Sequence, residues 1–300
     1  MPFIGEIASL LTSVFFSIGP TYFTLAGRLV GSVVVNRSRL VVALGYLLIA
    51  HLVMYGTLLP IEAAPDRWFW LGLSGLIGFV LGDAALFQAF VVIGTRLTML
   101  IFAVNPIIAA LLGWLVLDES LRGTQILGMV ITLAGIAWVM LERGNPAQRE
   151  LTPKAYATGI FLAVLAGAGQ AIGAVTAKLG LYGDFPTLSG QIIRVSIAAV
   201  AIWILTFISR KARVTWLALK SQPKAVSYIL IASFLGPFLG VFFSLLAIQN
   251  TKIGIASTLM SLQPIILIPI GYYFFKETIT VRAIIGTLVT LVGVAVIFLL

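Results

Sequence analysis

Polar side chains are scarce in this sequence, so each one set inside an apolar run is a candidate for chemistry. Asp83 stands within LGDAALFQ. A carboxylate in such surroundings is costly and marks either a functional site or a fixed ion pair. It could take up a proton or a cationic amine reversibly, or hold Arg39 or Arg194. Those two arginines carry the planar fork that suits a carboxylate or phosphate, although long side chains near helix ends also snorkel to headgroups. Gln88 follows Asp83 by five residues and so lies on a different helix face. Asn105-Pro106 and Gln263-Pro264 each put an amide before a proline in mid-run. Proline removes a donor and frees a carbonyl one turn back, so Pro106 and Pro264 read as hinges or packed kinks. Asn105 and Gln263 then face a ligand or satisfy backbone. Gln170 in GAGQAIG and Tyr22 beside Gly19-Pro20 could line a cavity or pack between helices. His51 reads as a satisfied hydrogen-bonder or an interface residue, and Glu6 as exposed to solvent or headgroups. Glu119 and Glu277 precede apolar runs, where a carboxylate complements the next helix's dipole; they read as structural corners.

Other chemistry is missing. There is no Cys, so disulfides, thiolate catalysis and Cys-based metal sites are excluded. No HExxH or phosphate-binding GxxxxGK[ST] occurs, and His51 is the only histidine available to a Ser/His/Asp set. A second membrane aspartate is lacking, because Asp66, Asp118 and Asp184 fall in or near loops. An enzyme is therefore not expected, nor a cofactor or a metal.

The elements that must position these residues follow from composition. Sixty per cent of residues are hydrophobic, 10% are charged and mean hydropathy is +1.12. Globular chains carry about a quarter charged residues, so the solvent is lipid. The net charge of +9 then belongs to cytoplasmic loops rather than to nucleic-acid binding. MPFIGEIAS lacks a basic leader region, and its apolar run is expected to stay in the mature chain. Crossing a hydrocarbon core of about 30 Å takes roughly twenty residues. Ten runs qualify, at about 4–26, 33–58, 68–92, 97–117, 122–141, 155–178, 187–209, 225–249, 254–275 and 281–300. Lipid cannot satisfy backbone groups, so these runs are helices.

The chain also repeats itself. Gly78 to Leu141 recurs 158 residues later as Gly236 to Leu299. Gly78, Gly82, Gly113, Gly128 and Gly135 fall on Gly236, Gly240, Gly271, Gly286 and Gly293, and Pro106, Glu119 and Thr132 fall on Pro264, Glu277 and Thr290. Shifts of 154 and 155 align Gly5, Gly19, Asn36 and Arg39 with Gly159, Gly173, Gln191 and Arg194. The expected organisation is a five-helix repeat at 1–141, a polar linker at 142–154 and a second repeat at 155–300. Five is odd, so the halves would be inverted, with a site near the midplane. The expected fold is all-α integral membrane, ten transmembrane helices as two inverted five-helix repeats. Asp83 meets Val241 in the alignment, and this broken symmetry is where substrate choice would reside. The seven-spaced pairs Gly128/Gly135 and Gly286/Gly293 serve close packing within a monomer or across a homodimer.

Fourteen Lys and Arg residues lie at the loops after the odd-numbered runs and four at the other side. The basic side is expected in the cytoplasm and both termini outside, in the plasma (inner) membrane.

NPIIAALLGWLVLDESL and its partner QPIILIPIGYYFFKETI, each followed by a glycine-spaced last helix, resemble the EamA-type branch of the drug/metabolite transporter superfamily. The resemblance implies ten helices as two inverted repeats, with alternating access to a central cavity lined mainly by helices 1, 3, 4, 6, 8 and 9. It further implies export of amino acids and related metabolites, or carriage of sugar phosphates and nucleotide sugars. The expected partners are a small-molecule substrate, membrane lipid, and a proton or counter-substrate, with no nucleic acid. Efflux of apolar cations is the alternative, with Asp83 meeting the cation in an aromatic-lined cavity; Tyr22, Phe87, Phe102 and Trp114 suit either substrate, or are simply core. A channel filter is not present.

Overall fold

The computed structural model describes residues 3–93, 95–141, 152–263, 265–266 and 281–299. All regular structure among these residues is helical. The first part of the chain forms α1 (Ile4–Val30), α2 (Ser32–Tyr55), α3 (Pro65–Gly75), α4 (Asp83–Ile93), α5 (Thr95–Phe102), α6 (Asn105–Leu117) and α7 (Gly123–Leu141). The second forms α8 (Pro153–Gly180), α9 (Thr187–Ile208), α10 (Ala212–Ser221), α11 (Pro223–Ser233), α12 (Val241–Asn250), α13 (Ile253–Met260) and α14 (Val281–Leu299). Six stretches are long and apolar enough to cross a membrane: Ile4–Val30, Ser32–Tyr55, Pro65–Phe90, Pro153–Gly180, Thr187–Ile208 and Pro223–Asn250. Asn105–Leu117, Gly123–Val139 and Ile284–Ile297 are apolar but shorter. The linker expected at 142–154 lies outside the described residues up to 151.

The elements repeat as the residues do. From α3 onward the same spacing of 158 carries α3 onto α11, α5 onto α13 and α7 onto α14, residue for residue at both ends. Proline opens both α3 and α11, where its missing N–H costs nothing. Both α3 and α11 run without a break through one wide π-helical segment, at Leu76–Gly82 and Phe234–Gly240. A π segment fits an extra residue into the turn and leaves carbonyls poorly matched to the helical ladder. These two occupy equivalent positions and both end on a glycine of the repeat.

Packing between the halves is reciprocal. A Cβ added at Gly135 would lie 2.8 Å from Gly286 O, and one at Gly293 would lie 2.8 Å from Gly128 O. As α7 advances from 128 to 135, its contacts on α14 retreat from 293 to 286, so the helices run antiparallel. Glycine is required there because the backbones themselves touch. Thr132 and Thr290 each return a hydroxyl to their own helix, at Gly128 O and Gly286 O, both 2.8 Å. The glycine stripes thus serve intramolecular packing. In the same reciprocal way Gly19 on α1 approaches Gly236, and Gly173 on α8 approaches Gly78.

The interior holds Leu40, Leu47, Leu71, Ile192, Ile193 and Leu245, all fully buried. Val53, Phe161, Ile208 and Leu288 stand exposed on the outside, as lipid-facing residues do. The run at 97–117, expected as one helix, is divided at Ala103–Val104 into α5 and α6, with Pro106 in the first turn of α6. The basic segment after α9, expected as a loop, contains α10. Val214, Trp216 and Leu217 are exposed on it, Lys220 lies 5.0 Å from the Trp216 ring, and Thr215 accepts from Arg37 at 3.0 Å. Such a helix suits a membrane interface.

Candidate functional site

Asp83 is the first residue of α4, directly after the π segment closes at Gly82. The segment's glycines let α8 approach: a Cβ at Gly169 would sit 3.1 Å from Gly82 Cα, and one at Gly82 would sit 3.3 Å from Gln170 Nε2. Gln170 therefore reaches in and donates to two acceptors, Gly78 O at 3.1 Å and Asp83 Oδ1 at 3.0 Å. The other carboxylate oxygen, Oδ2, forms an ion pair with Arg39 Nη2 from α2. Asn36, one turn earlier, accepts from Arg39 Nε at 2.9 Å and fixes the guanidinium. Phe87 and Phe23 flank it, with ring centres 5.4 and 5.9 Å away.

Arg194 enters the same region from α9. Its guanidinium lies 4.9 Å from the Phe79 ring, and its charge acts on Asp83. Arg39, Asp83 and Arg194 are 8%, 7% and 6% exposed. Burial overturns the snorkelling option for both arginines: Arg39 is turned inward onto Asp83, and Arg194 onto the Phe79 ring. Both carboxylate oxygens of Asp83 are engaged, and the cluster still contains two cations for one anion.

The other expected site residues lie elsewhere. Gln88 is exposed on the opposite side of α4. Asn105 begins α6, and its side-chain oxygen is buried without a hydrogen-bond partner. Gln263 donates to Met260 O at 3.3 Å, and its own carbonyl accepts from Ser17 at 3.2 Å. Tyr22 packs on Tyr228, with ring centres 6.0 Å apart. His51 is buried between Thr57 O and the Ser189 hydroxyl, at 2.6 and 2.9 Å. Pro264 and Glu277 lie outside the described residues. No group of three His, Asp or Glu among the described residues gathers as metal ligands.

A second polar cluster closes one end of the bundle. Asp118 adopts a left-handed backbone, φ 53°, and Glu119 N–H reaches back to Gly113 O at 3.1 Å. This turn aims Glu119 away from α7, the helix it was expected to serve. It accepts instead from Ile253 N–H at the start of α13, at 2.7 Å, and pairs with Lys178 at 2.5 Å. Lys178 also donates to Thr251 O at 2.6 Å, and the Thr251 hydroxyl donates to Glu6 at 2.8 Å. Glu6 is thus tied into the bundle rather than left to solvent. Sequence reasoning missed Lys178, which looks like an ordinary loop cation, and Gln191, visible only as the match of Asn36. Gln191 donates to Pro237 O at 2.6 Å and Phe238 O at 2.9 Å in the second π segment.

These features define a polytopic helical membrane protein with two equivalent halves meeting around buried charge. The sequence matches the EamA-like transporter family twice, over residues 3–141 and 157–299. The chain belongs to that family, and both matches fall on the two halves of the structure. No curated protein matches it. One solved structure, described no further than as the crystal structure of a protein, is similar in fold, with a TM-score of 0.71 at 17% identity. The alignment covers 99% of this chain and 96% of that one.

Proposed function

We propose that this membrane protein is a secondary transporter that moves small metabolites, such as amino acids, out of the cell by alternating access. The observation that carries the reading is the Arg39–Asp83–Gln170 cluster. It is buried, charged, and assembled from α2, α4 and α8, hence from both halves. A buried ion pair is weak as a source of stability but well placed to change partners when two halves rock against each other. The antiparallel α7–α14 contact supports inverted repeats, because an axis relating antiparallel equivalents runs across the helices, not along them. Ten spans follow if α5 with α6, and α13 with the residues after it, each count as one crossing. In the broken run at Ala103–Val104, Pro106 would act as the hinge, with Pro264 as its counterpart. Energy would come from an ion gradient or from exchange.

Efflux of apolar cations fits less well. Asp83 is already paired, and a second arginine stands beside it. The test is counterflow in proteoliposomes: trans substrate should accelerate uptake of labelled substrate. Leak that is insensitive to trans substrate would point to a channel, and no flux of any metabolite would overturn the reading. For orientation, a single Cys at Gln222, between α10 and α11, should be labelled only after the cells are opened. Labelling in intact cells would reverse the assignment of basic loops to the cytoplasm.

A further inference from the structure

The charged cluster has a vacancy of one sign. Arg39 and Arg194 are equivalent at a spacing of 155, and Asp83 and Val241 are equivalent at 158. Arg39 has its carboxylate. Where Arg194 would find the corresponding one, the chain has Val241, itself buried. Among the described residues no carboxylate forms an ion pair with Arg194, and its Nε is buried without a hydrogen-bond partner. The Phe79 ring lies 4.9 Å from the cation, but it carries no counter-charge and leaves Nε without a hydrogen-bond partner. One turn earlier on the same face of α9, Gln191 Oε1 is also buried and unpartnered, because its amide nitrogen is spent on the second π segment. A buried donor left unsatisfied is costly, more so when charged. Here a charged donor and a neutral acceptor are left together, three residues apart on one helix.

We propose that Arg194 anchors a small monocarboxylate, which rests on the transporter reading above and names its substrate class. The carboxylate supplies the counter-ion that Val241 does not and brings the cluster's charge to zero. The fork of Arg194 donates two parallel N–H bonds to it. A hydroxyl beside the carboxylate meets Gln191 Oε1, so a hydroxy acid binds more tightly than a plain one. A cation is repelled by the surplus positive charge, and a zwitterion gains less than an anion.

The experiment is thermal unfolding of the full-length protein in neutral phosphatidylcholine nanodiscs at fixed ionic strength. The probes are glycolate, propionate, glycine and tetraethylammonium. Glycolate should raise the midpoint by about 2–4 °C near saturation, propionate less, glycine less again, and tetraethylammonium not at all. Arg194→Gln should abolish the response. Val241→Asp, which builds in the missing counter-ion, should also abolish it and should leave the ligand-free midpoint no lower than wild type's. Stabilisation by tetraethylammonium, no response to either carboxylate, or a carboxylate response that survives in Arg194→Gln would overturn the proposal. So would a rise produced only by added phosphatidylglycerol, which would make the site one for a lipid headgroup. If neither variant folds, the order of the four probes on wild type decides. Glycolate binding without glycolate counterflow would retain the site and overturn the transporter reading. Counterflow of other metabolites without carboxylate binding would do the reverse.

Discussion

Phe16 lies against Gly240 on one side of the molecule, and Gln170 lies against Gly82 on the other. The two positions are equivalent in the repeat, and so are the π segments they cover. Around Gly82 the amide meets Asp83 and the Gly78 carbonyl, and Asp83 in turn meets Arg39. Around Gly240 a phenyl ring meets glycine, and Val241 stands where the acid would be. The wide turn is present in both halves and takes a side-chain amide in each, from Gln170 and from Gln191, but the carboxylate is present in only one. A wide turn, a glycine and a close helix therefore do not require a carboxylate beside them. The charge lies where a glycine lets a side chain approach backbone.

The hardest way to break this comparison is at Asp83. Asp83→Leu leaves two buried guanidinium groups with no carboxylate, a loss of about 3–5 kcal/mol in other buried pairs. The matched change Val241→Leu strands no charge and should cost only the overpacking of one added methylene, about 1 kcal/mol. Unfolding midpoints from fluorescence-detected size exclusion should separate them clearly. Removing the opposing charge as well, in Asp83→Leu with Arg39→Met, should restore much of the loss. If the two single variants unfold together, the charge is not what distinguishes the halves.

A symmetric pair of changes is the control. Gly135→Leu and Gly293→Leu are equivalent at 158, and both force a side chain against a carbonyl of the opposite helix. Overpacking typically costs about 1–3 kcal/mol, and here the two losses should agree. Unequal midpoints would mean that α7 and α14 do not share their contact evenly.

Gln170→Leu and Phe16→Leu sharpen the comparison further. Loss of the amide strips a donor from Gly78 O and Asp83 Oδ1, at about 1–3 kcal/mol for buried groups left unpaired. Loss of the phenyl ring leaves only a modest volume change, about 1 kcal/mol. Transport should separate them more than stability does, with Gln170→Leu the more damaging in counterflow.

The sequence made much of this plain for a physical reason. Lipid forces long apolar helices, and backbone-to-backbone contact forces glycine, so the spans and the stripes of α7 and α14 were legible. Asp83 stood out because an acid inside an apolar run is rare. The π segments were not legible, since one extra residue barely disturbs an apolar pattern that has little periodicity. That Arg39 and Arg194 turn inward depends on where the fold brings Asp83 and the Phe79 ring, which is a tertiary fact. Helix α10 was hidden because its basic residues read as a loop, while its apolar face needs a membrane surface to make sense. The role of Glu119 was misplaced because a single left-handed residue, Asp118, redirects it from the next helix to one in the other half.

That redirected carboxylate supports the smallest and most specific prediction. Glu119 pairs with Lys178 and caps α13, joining α6, α8 and α13 at one end of the bundle. In the sequence repeat the corresponding positions are Glu277 and Thr24, so the cation has no counterpart. The Glu119–Lys178 pair can therefore hold one face without an equivalent lysine at the matched position of the repeat. Glu119→Gln keeps an acceptor for Ile253 N–H but removes the charge, and a partly exposed pair is worth about 1 kcal/mol or less. Stability should scarcely change. If the protein works by the alternating access proposed above, the balance between its two open states should change by up to about fivefold, toward opening at this end. A Cys placed at Leu117, in an otherwise Cys-free chain, should then react faster with a soluble maleimide in Glu119→Gln than in its absence. Lys178→Met should give the same acceleration. Equal rates in all three proteins would mean that the pair only trims the corner and does not bias which face opens.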